Sequence, residues 1–350
     1  MKSTQRERIV ELDVIRFAAI VLVLICHSSE QAFSMSGGSA PMAVLHTLGR
    51  LGVPLFLFLT GALILKKDFS SSRSIILFYR KNLVSLLLTV EIWIVIYGCY
   101  LFFCGQEFTF YDYIKCALFI NDIPMMHWWY IPAIIMIYVA LPFASRAVRN
   151  LDIKGLALPF MLIVVLGFLL PTINSFLSIW GKGFQNVPDL APLGGFLFFY
   201  IVLGMYLIDE RTMKLVSNFQ LTLLAFLGVF GACLQEYLGL GLWYNNFFII
   251  LTAVTITEFI FRLLSVPRIK SRVHEMKREL EVLSKTAFFV YFVHVPVLTF
   301  VERLASCLNL SLAHFSVSFI GTLILSYLIA ITGYKLLDKM PRLRKAIFNS

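Results

Sequence analysis

The sequence predicts an all-α, polytopic integral membrane protein with about ten transmembrane helices. Of its 350 residues, 59% are hydrophobic and only 14% are charged, whereas roughly 25% of residues are charged in soluble domains. Apolar stretches long enough to cross a bilayer recur from one end of the chain to the other. Lysine and arginine alternate between loops in the way that orients membrane proteins. Together these observations predict a single membrane-embedded domain over residues 1–350.

Ten spans are predicted from the apolar stretches. A helix of about 20 residues covers the hydrocarbon core of a bilayer. The second span is the least complete, because its uninterrupted apolar run covers only 51–65. An even number of spans places both chain ends on the same side of the membrane. In chain order, the predicted spans are 14–33, 48–65, 83–104, 128–147, 154–172, 191–208, 217–236, 243–262, 286–304 and 313–335.

The basic residues predict that both termini are cytoplasmic. With the N-terminus inside, 25 of the 30 lysines and arginines fall in cytoplasmic segments, whereas the outer segments receive only Arg50, Lys115, Lys182 and Arg303. The net charge of +10 is therefore a topological signal, and nucleic acid is not an expected partner. The largest basic concentration, the predicted cytoplasmic loop 263–285, could also rest on anionic lipid headgroups or meet a phosphorylated ligand.

Other motif classes add little. The six cysteines show no metal-ligand spacing, so free apolar cysteines and no metal are expected. Residues 1–35 share a basic start and an apolar run with signal peptides, but no strong cleavage site follows, and we interpret the run as the first span. The chain contains no phosphate-binding glycine loop, dinucleotide fingerprint or serine-hydrolase elbow.

The first predicted span contains Arg16 and, eleven residues later, His27. Eleven residues at about 100° per residue make three turns plus roughly 20°, so the two side chains share one helix face about 16 Å apart along the axis. Ionisable groups in a span are expensive and by default mark function. The pair therefore predicts an aqueous cleft or a long ligand that runs from one surface into the bilayer. Asp13 most simply pairs with Arg16 or caps the helix.

Two further ionisable residues are predicted at similar depth. His294 lies about ten residues, or about 15 Å, beyond the cytoplasmic boundary at Ser284 and could share a cavity with His27. A lone membrane histidine is often only an interhelical hydrogen-bond partner, and this alternative stays open for His294. Glu91 in the third span either orients a catalytic histidine or forms an ion pair without a catalytic role.

The predicted outer segments combine aromatic side chains with amides and carboxylates. Three such segments are QEFTFYDYIKCALFINDIPMMHWWY, SFLSIWGKGFQNVPDL and LQEYLGLGLWYNN. Sugar rings offer apolar C–H faces and peripheral hydroxyls, so these segments are candidates for saccharide binding. The alternative is the belt of tryptophan and tyrosine that any membrane protein places at the interface.

Five stretches resemble the acyltransferase-3 family of bacterial integral membrane acyltransferases, in the family's order and over nearly the whole chain. They are LDVIRFAAIVLVLICH with Asp13, Arg16 and His27; VPLFLFLTGALIL with Thr60 and Gly61; HWWYIPAIIMIYVALP with Trp128, Trp129, Tyr138 and Pro142; FFYIVLGMYL with Gly204; and LSKTAFFVYFVHVPVL with Ser284, Phe288, Tyr291 and His294.

The resemblance implies an O-acyltransferase in the bacterial cytoplasmic (inner) membrane. Such an enzyme moves an acyl group, commonly acetyl from acetyl-CoA on the cytoplasmic side, to a hydroxyl of an extracytoplasmic or lipid-linked cell-envelope saccharide. Arg16 would meet the donor phosphates. His27 would act as general base, because imidazole exchanges protons near neutral pH; the alternative is that it carries the acyl group transiently.

The remaining site residues follow from the same combination of pattern and resemblance. His294 and Glu91 are predicted beside His27 in the catalytic group, and Tyr291 is predicted at the donor. The predicted acceptor-binding residues are Trp128, Trp129 and Tyr138.

One departure from the family leaves the donor and its binding mode open. The R-x-x-R pair at the start of the family's third span corresponds here to Asn82 and Ser85. Arg80 and Lys81 lie close by and could supply the phosphate-binding charge instead.

A function of another class is a transporter or flippase for a lipid-linked sugar or an anion, with the polar span residues as its pathway. Transporters commonly show repeated halves, and this sequence shows no convincing internal repeat. The Arg16–His27 stripe also suits a long acyl-CoA, so the enzyme is the favoured interpretation.

Overall fold

The computed structural model describes residues 9–349 except positions 37, 122, 124, 126, 150, 152, 184–194 and 208–215. Within these ranges the regular elements are helical, which confirms the all-α class. The first eight helices are α1 (Val10–Met35), α2 (Ala40–Gly49), α3 (Gly52–Thr60), α4 (Ser72–Phe78), α5 (Val84–Phe103), α6 (Phe110–Ala117), α7 (Tyr130–Val148) and α8 (Ile153–Val164). The next eight are α9 (Leu170–Ser178), α10 (Gly195–Leu207), α11 (Asn218–Tyr237), α12 (Phe247–Leu264), α13 (Pro267–Glu275), α14 (Lys277–Ala305), α15 (Ser311–Leu336) and α16 (Pro341–Phe348).

Wider helical turns join several of these helices into longer rods. A π-helical segment follows α3, another joins α4 to α5, and a third joins α8 to α9; they cover Gly61–Leu65, Tyr79–Leu83 and Val165–Leu169. Such turns are rare and occur often at functional sites.

Each apolar helix overlaps a predicted span, although the helix that corresponds to the third span begins at Ser72 rather than at 83. Among the described residues, eight stretches are long and apolar enough to cross a membrane: Ala40–Leu65, Ser72–Phe103, Tyr130–Val148, Lys154–Ser178, Asn218–Tyr237, Phe247–Leu264, Lys277–Ala305 and Ser311–Lys339. The first predicted span coincides with α1, which has 26 residues. The described part of the sixth coincides with the shorter apolar helix α10. The chain is a polytopic membrane protein, and the number ten stays a prediction.

The second span begins earlier than the sequence pattern predicts. Its apolar helix covers Ala40–Leu65 rather than 48–65, with only a turn at Arg50 and Leu51 between α2 and α3. Arg50 therefore lies within this apolar helical stretch. There its guanidinium interacts electrostatically with the side chain of Tyr244. Because this charged residue interrupts the apolar run, the run alone predicts a shorter helix.

Two glycines let α3 and α10 pack backbone against backbone. A Cβ atom on Gly204 would lie 2.2 Å from the carbonyl oxygen of Phe58, and one on Gly61 would lie 1.8 Å from the carbonyl oxygen of Ile201. A side chain at either position would force the helices apart. Small residues commonly serve this purpose between membrane helices, so these two family-like positions are explained by packing.

Helix α1 lies at the centre of the bundle, in contact with α2, α3, α14 and α15. Helix α14 packs along α15, and aromatic rings hold it from the side of α5. There Trp93 stacks on Phe292, with ring centroids 4.8 Å apart, and both are buried. The polar residues of α1 and α14 therefore face each other across a firmly packed interface.

The predicted basic loop 263–285 is largely helical. It comprises the end of α12, the short helix α13 and the first turns of α14, with a break at Met276. A second short basic helix, α16, follows the last long helix and buries Phe348 completely.

Reporter fusions test the predicted orientation. Because 25 of the 30 basic residues fall on one side, a fluorescent-protein fusion at Ser350 should be active, and so should an alkaline-phosphatase fusion at Gly38. The exchanged fusions serve as controls and should be inactive, since each reporter works on only one side of the membrane. The same side reported at both positions would contradict an arrangement of ten spans.

Candidate active site

Three histidines from different parts of the chain meet inside the bundle. His27 of α1 and His294 of α14 have ring centroids 5.3 Å apart, and His127, just before α7, lies 4.8 Å from His294. The centroids of His27 and His127 are 6.5 Å apart. His127 and His294 are buried, and the side chain of His27 is 13% exposed. The predicted meeting of His27 and His294 thus appears in the structure with a third histidine added.

Backbone contacts assign the proton on His294. Its Nδ1–H donates to the carbonyl oxygens of Tyr291 at 2.6 Å and Val290 at 3.2 Å. In the neutral ring, Nε2 then carries a lone pair, and this buried atom has no hydrogen-bond partner among the described residues. An unpaired buried polar atom costs about 1–3 kcal/mol, so the position suits a ligand that donates a hydrogen bond.

Tyr97 assigns the proton on His127 in the same way. The Tyr97 hydroxyl donates to the carbonyl oxygen of Phe292, so its oxygen accepts the Nε2–H of His127 at 3.1 Å. The Nδ1 of His127 then carries the lone pair, and in the part of the chain that the structure describes it also lacks a hydrogen-bond partner. Two neighbouring rings therefore each present an acceptor, and neither can satisfy the other.

Glu30, rather than Glu91, is the carboxylate beside His27. Its Oε1 lies 3.4 Å from Nδ1 of His27, one helical turn away on α1. The two atoms do not form a hydrogen bond, but the negative carboxylate favours a proton on Nδ1, which leaves Nε2 as the acceptor nitrogen. The carboxylate of Glu91 instead accepts a hydrogen bond from the Tyr113 hydroxyl at 3.1 Å, between α5 and α6. Glu91 is therefore not the carboxylate that the structure brings to His27.

A cavity of about 400 Å³ lies beside this cluster. Its polar lining includes Arg16, Lys67, Asn82 and Lys285 and the tyrosines Tyr130, Tyr138 and Tyr291. Apolar residues of α3 and the π-helical segment after it, α5, α7, α14 and α16 complete the wall. The volume falls within the roughly 300–1,000 Å³ of ordinary ligand pockets.

Arg16 is held at the cavity by two neighbours. Its guanidinium donates to the Ser284 hydroxyl at 2.7 Å, and the Asp13 carboxylate lies 3.6 Å away. The Asp13 contact agrees with the simplest interpretation of the sequence. The side chain of Arg16 is 30% exposed, so part of the guanidinium is accessible from the cavity.

The substitute cations that the sequence suggested lie outside this lining. Arg80 and Lys81 are in the π-helical segment before α5, and Lys81 is exposed. The lysines that line the cavity are Lys67 and Lys285. The sequence pattern does not mark these two, because they occur in ordinary basic cytoplasmic segments.

Tyr291 connects the cavity to the histidine cluster. Its ring lines the cavity, and its hydroxyl donates to the carbonyl oxygen of His127 at 2.5 Å. It lies on the same helix as His294, three residues earlier in the chain. Tyr291 thus stands at the boundary between a cationic cavity and a group of hydrogen-bond acceptors.

The predicted aromatic residues have separate environments. Trp128 is 1% exposed and packs edge-on against Tyr97, which makes it a core residue. Trp129 is 38% exposed, with its ring 5.5 Å from that of Tyr244. Tyr138 lines the cavity and stacks on Phe78. The part of the predicted saccharide-binding segment at 184–190 lies outside the described residues.

A second polar group lies next to Glu30. The Nδ1 of His46 is 2.8 Å from the Glu236 carboxylate, and both side chains are buried. Cys26, Glu30 and His46 bring their potential ligand atoms within 4.8 Å of one another. This is the grouping in the described part of the chain that could hold a metal ion. Arg50 already interacts electrostatically with Cys26 and Glu30, so a permanent cation stands beside it.

Comparison with known families identifies the class. The sequence profile of the acyltransferase-3 family, described as an acyltransferase domain, matches residues 9–331. The chain therefore belongs to the acyltransferase-3 family of membrane acyltransferases, as the five stretches predict. The match contains Arg16 and all three clustered histidines and ends within α15. No curated protein and no solved structure matches the chain.

His127 and Glu30 were not predicted from the sequence. His127 directly precedes Trp128, and a histidine at the start of an apolar helix is easily taken for an interface residue. Glu30 lies three residues after His27, a spacing that brings two side chains together on a helix. That spacing was the available signal for Glu30, whereas the position of His127 depends on tertiary packing.

The Tyr291 hydroxyl offers a test of how the site is held. Tyr291→Phe removes a hydrogen bond to the His127 backbone. It should lower the rate of acyl transfer about tenfold, because the corresponding free energy is near the upper end of what one hydrogen bond contributes. Tyr206→Phe is the control, because the Tyr206 hydroxyl also donates to a backbone carbonyl, that of Leu151 at 3.2 Å, and does not line the cavity. Thermal unfolding of both variants measures the accompanying loss of stability. Equal transfer rates in the two variants would exclude this role.

Proposed function

We propose that the protein is an O-acyltransferase that moves an acetyl group from cytoplasmic acetyl-CoA to a hydroxyl of an extracytoplasmic or lipid-linked cell-envelope saccharide in the bacterial inner membrane. The observation that supports this most is the junction at Tyr291. On one side lies the cavity with Arg16, and on the other lie three histidines that present acceptor nitrogens. A long anionic thioester matches the first region, and a hydroxyl matches the second.

The donor would lie along the cavity. Guanidinium and ammonium groups bind phosphates by charge-assisted hydrogen bonds, and Arg16, Lys67 and Lys285 line the cavity. Lys285 also pairs with Glu281 at 2.6 Å, so Arg16 and Lys67 would be the main phosphate ligands. The extended pantetheine arm is long enough to cover the roughly 16 Å along α1 that separates Arg16 from His27. Its thioester would then reach the histidines, while the larger nucleotide stays at the cytoplasmic mouth.

His27 would act as the general base. The acceptor hydroxyl gives its proton to Nε2 of His27 while its oxygen attacks the thioester carbonyl carbon. The carbon–sulfur bond then breaks, and the departing CoA sulfur takes the proton from the imidazolium. The products are the acetyl ester and the CoA thiol. Glu30, facing Nδ1, stabilises the transient positive charge on the ring.

The other two histidines would complete the acceptor site. Nε2 of His294 and Nδ1 of His127 can accept hydrogen bonds from the sugar and so position it. His294 with Tyr291 is the alternative base, and transient acylation of His27 is the alternative pathway. Trp129, two residues after His127, pairs its ring with that of Tyr244, and these faces suit the apolar side of a sugar ring. Among the described residues, no observation favours a transporter.

Donor binding tests the role of Arg16. Arg16→Ala should weaken acetyl-CoA binding tenfold or more, about 1.4 kcal/mol for a lost charge-assisted contact, measured by isothermal titration of the purified protein. High salt should reduce the wild-type affinity, because the contact is partly exposed to water. Arg262→Ala is the control, since Arg262 also bonds a carboxylate within a turn, Glu258 at 2.7 Å, but does not line the cavity. Unchanged affinity in Arg16→Ala would leave Arg16 a structural partner of Asp13.

Acetylation of the acceptor tests the role of His27. His27→Ala should leave protein level and acetyl-CoA affinity nearly intact and lower glycan acetylation at least about a hundredfold, the usual scale of a lost general base. His27→Gln keeps a hydrogen-bonding side chain but cannot take the proton, so it should fall equally. Mass spectrometry of the envelope glycans measures the product.

The control for this experiment is another buried histidine. His314 is 1% exposed and lies on α15 outside the cluster, so His314→Gln should retain acetylation. Near-normal acetylation in His27→Gln cells would place the base elsewhere. His294→Gln would then be the next variant, with Tyr291→Phe beside it.

A further inference from the structure

We propose that the C-terminal helix α16 is part of the donor site and that Arg342 and Lys345 bind the phosphates of the donor nucleotide. This inference rests on the proposed function, because it names further residues that would hold the same donor. Helix α16 lies beyond the residues 9–331 that match the family profile. It is therefore an element that the family match does not assign.

The end of α16 is anchored in the bundle. Phe348 is completely buried, stacks on Phe289 at 4.6 Å and meets Tyr334 edge-on at 5.2 Å. The indole N–H of Trp93 donates to the carbonyl oxygen of Ile347 at 3.2 Å. Burying a phenylalanine contributes about 1.5–3 kcal/mol, so these contacts hold α16 in a defined place against α5, α14 and α15.

That anchored end forms part of the cavity wall. Phe348 and Asn349 line the same cavity as Arg16, Lys67 and Lys285. The last residues of α16 thus stand with the cations to which the donor phosphates are assigned. A ligand that occupies the cavity and extends toward the cytoplasm therefore passes this helix end.

Two exposed cations lie on one face of the helix that ends at the cavity. Arg342 and Lys345 are spaced i, i+3 and so form a short stripe about 5 Å long on one face of α16. The backbone N–H of Asn349, which follows the helix, donates to the Lys345 carbonyl oxygen at 2.9 Å. Arg342 and Lys345 are exposed. Arg344, on another face, pairs with Asp338 and lies over the Tyr334 ring at 4.7 Å. Arg344 is therefore a structural cation, whereas the two stripe residues are accessible to a ligand.

The size of the cavity explains why cations are useful outside it. Its volume of about 400 Å³ suits the pantetheine arm, whereas the nucleotide of acetyl-CoA adds an adenosine and three phosphate groups. These groups must lie outside the cavity, beside the helix whose end forms part of its wall. Anionic lipid headgroups offer the same phosphate chemistry. The helix that carries the stripe ends at the cavity with Phe348, followed by Asn349, and we therefore assign the stripe to the nucleotide.

The test measures acetyl-CoA binding to the full chain in nanodiscs of zwitterionic lipid. The double variant Arg342→Gln/Lys345→Gln should raise the dissociation constant at least about fivefold at low salt, and the difference should shrink as salt rises. The affinity of wild type should likewise fall more steeply with salt than that of the variant. Lys270→Gln/Arg272→Gln is the matched control, because both residues are exposed cations of α13 that do not line the cavity.

The outcomes separate this inference from the function on which it rests. A wild-type chain that does not bind acetyl-CoA overturns both. Wild-type binding with equal affinity in the two double variants overturns only the role of α16. A difference that is present in nanodiscs with anionic lipid and absent in zwitterionic ones also overturns it, since the partner is then a lipid headgroup.

Discussion

The parallel packing of α1 against α14 is the constraint on which the site depends. Arg16 bonds Ser284 at one level, and His27 lies against His294 at another. The two levels are eleven residues apart along α1 and ten apart along α14, or about 16 and 15 Å. The two contacts therefore lie at two levels of the same interface between α1 and α14. An acyl donor laid along it would meet a cation at one end and imidazoles at the other.

The α1 side of this interface could be predicted from the sequence because Arg16 and His27 lie on the same helix. Helical periodicity brings Arg16 and His27 to one face, and the cost of ionisable groups in a span marks them as functional. The apolar runs located the helices but not all of their starts, because the helix of the second span begins at Ala40 rather than at 48 and that of the third at Ser72 rather than at 83. Charge alone marked 263–285 as a basic connection between spans and gave no indication of its helical structure.

The remaining site residues could not be predicted because they depend on tertiary contacts. His127 joins the cluster through bonds that Tyr97 and Tyr291 make with its ring and backbone. Lys67 and Lys285 become cavity residues only when the chain segments after α3 and at the start of α14 converge. Glu91 shows the converse case, since its side chain contacts Tyr113 rather than a histidine. The depth of a residue in the membrane can be predicted from its position in a span, whereas the direction of its side chain depends on tertiary packing.

The positions of the ring protons determine which nitrogens of the histidine cluster accept hydrogen bonds. His294 uses its Nδ1–H on its own helix, and His127 uses its Nε2–H on Tyr97. Each ring is thereby fixed as an acceptor, and Glu30 biases His27 in the same sense. Acceptors that face one another cannot satisfy each other, and a buried acceptor without a donor is unfavourable. A hydroxyl supplies the donor, so the fixed protons of His294 and His127 support the alcohol acceptor that we propose.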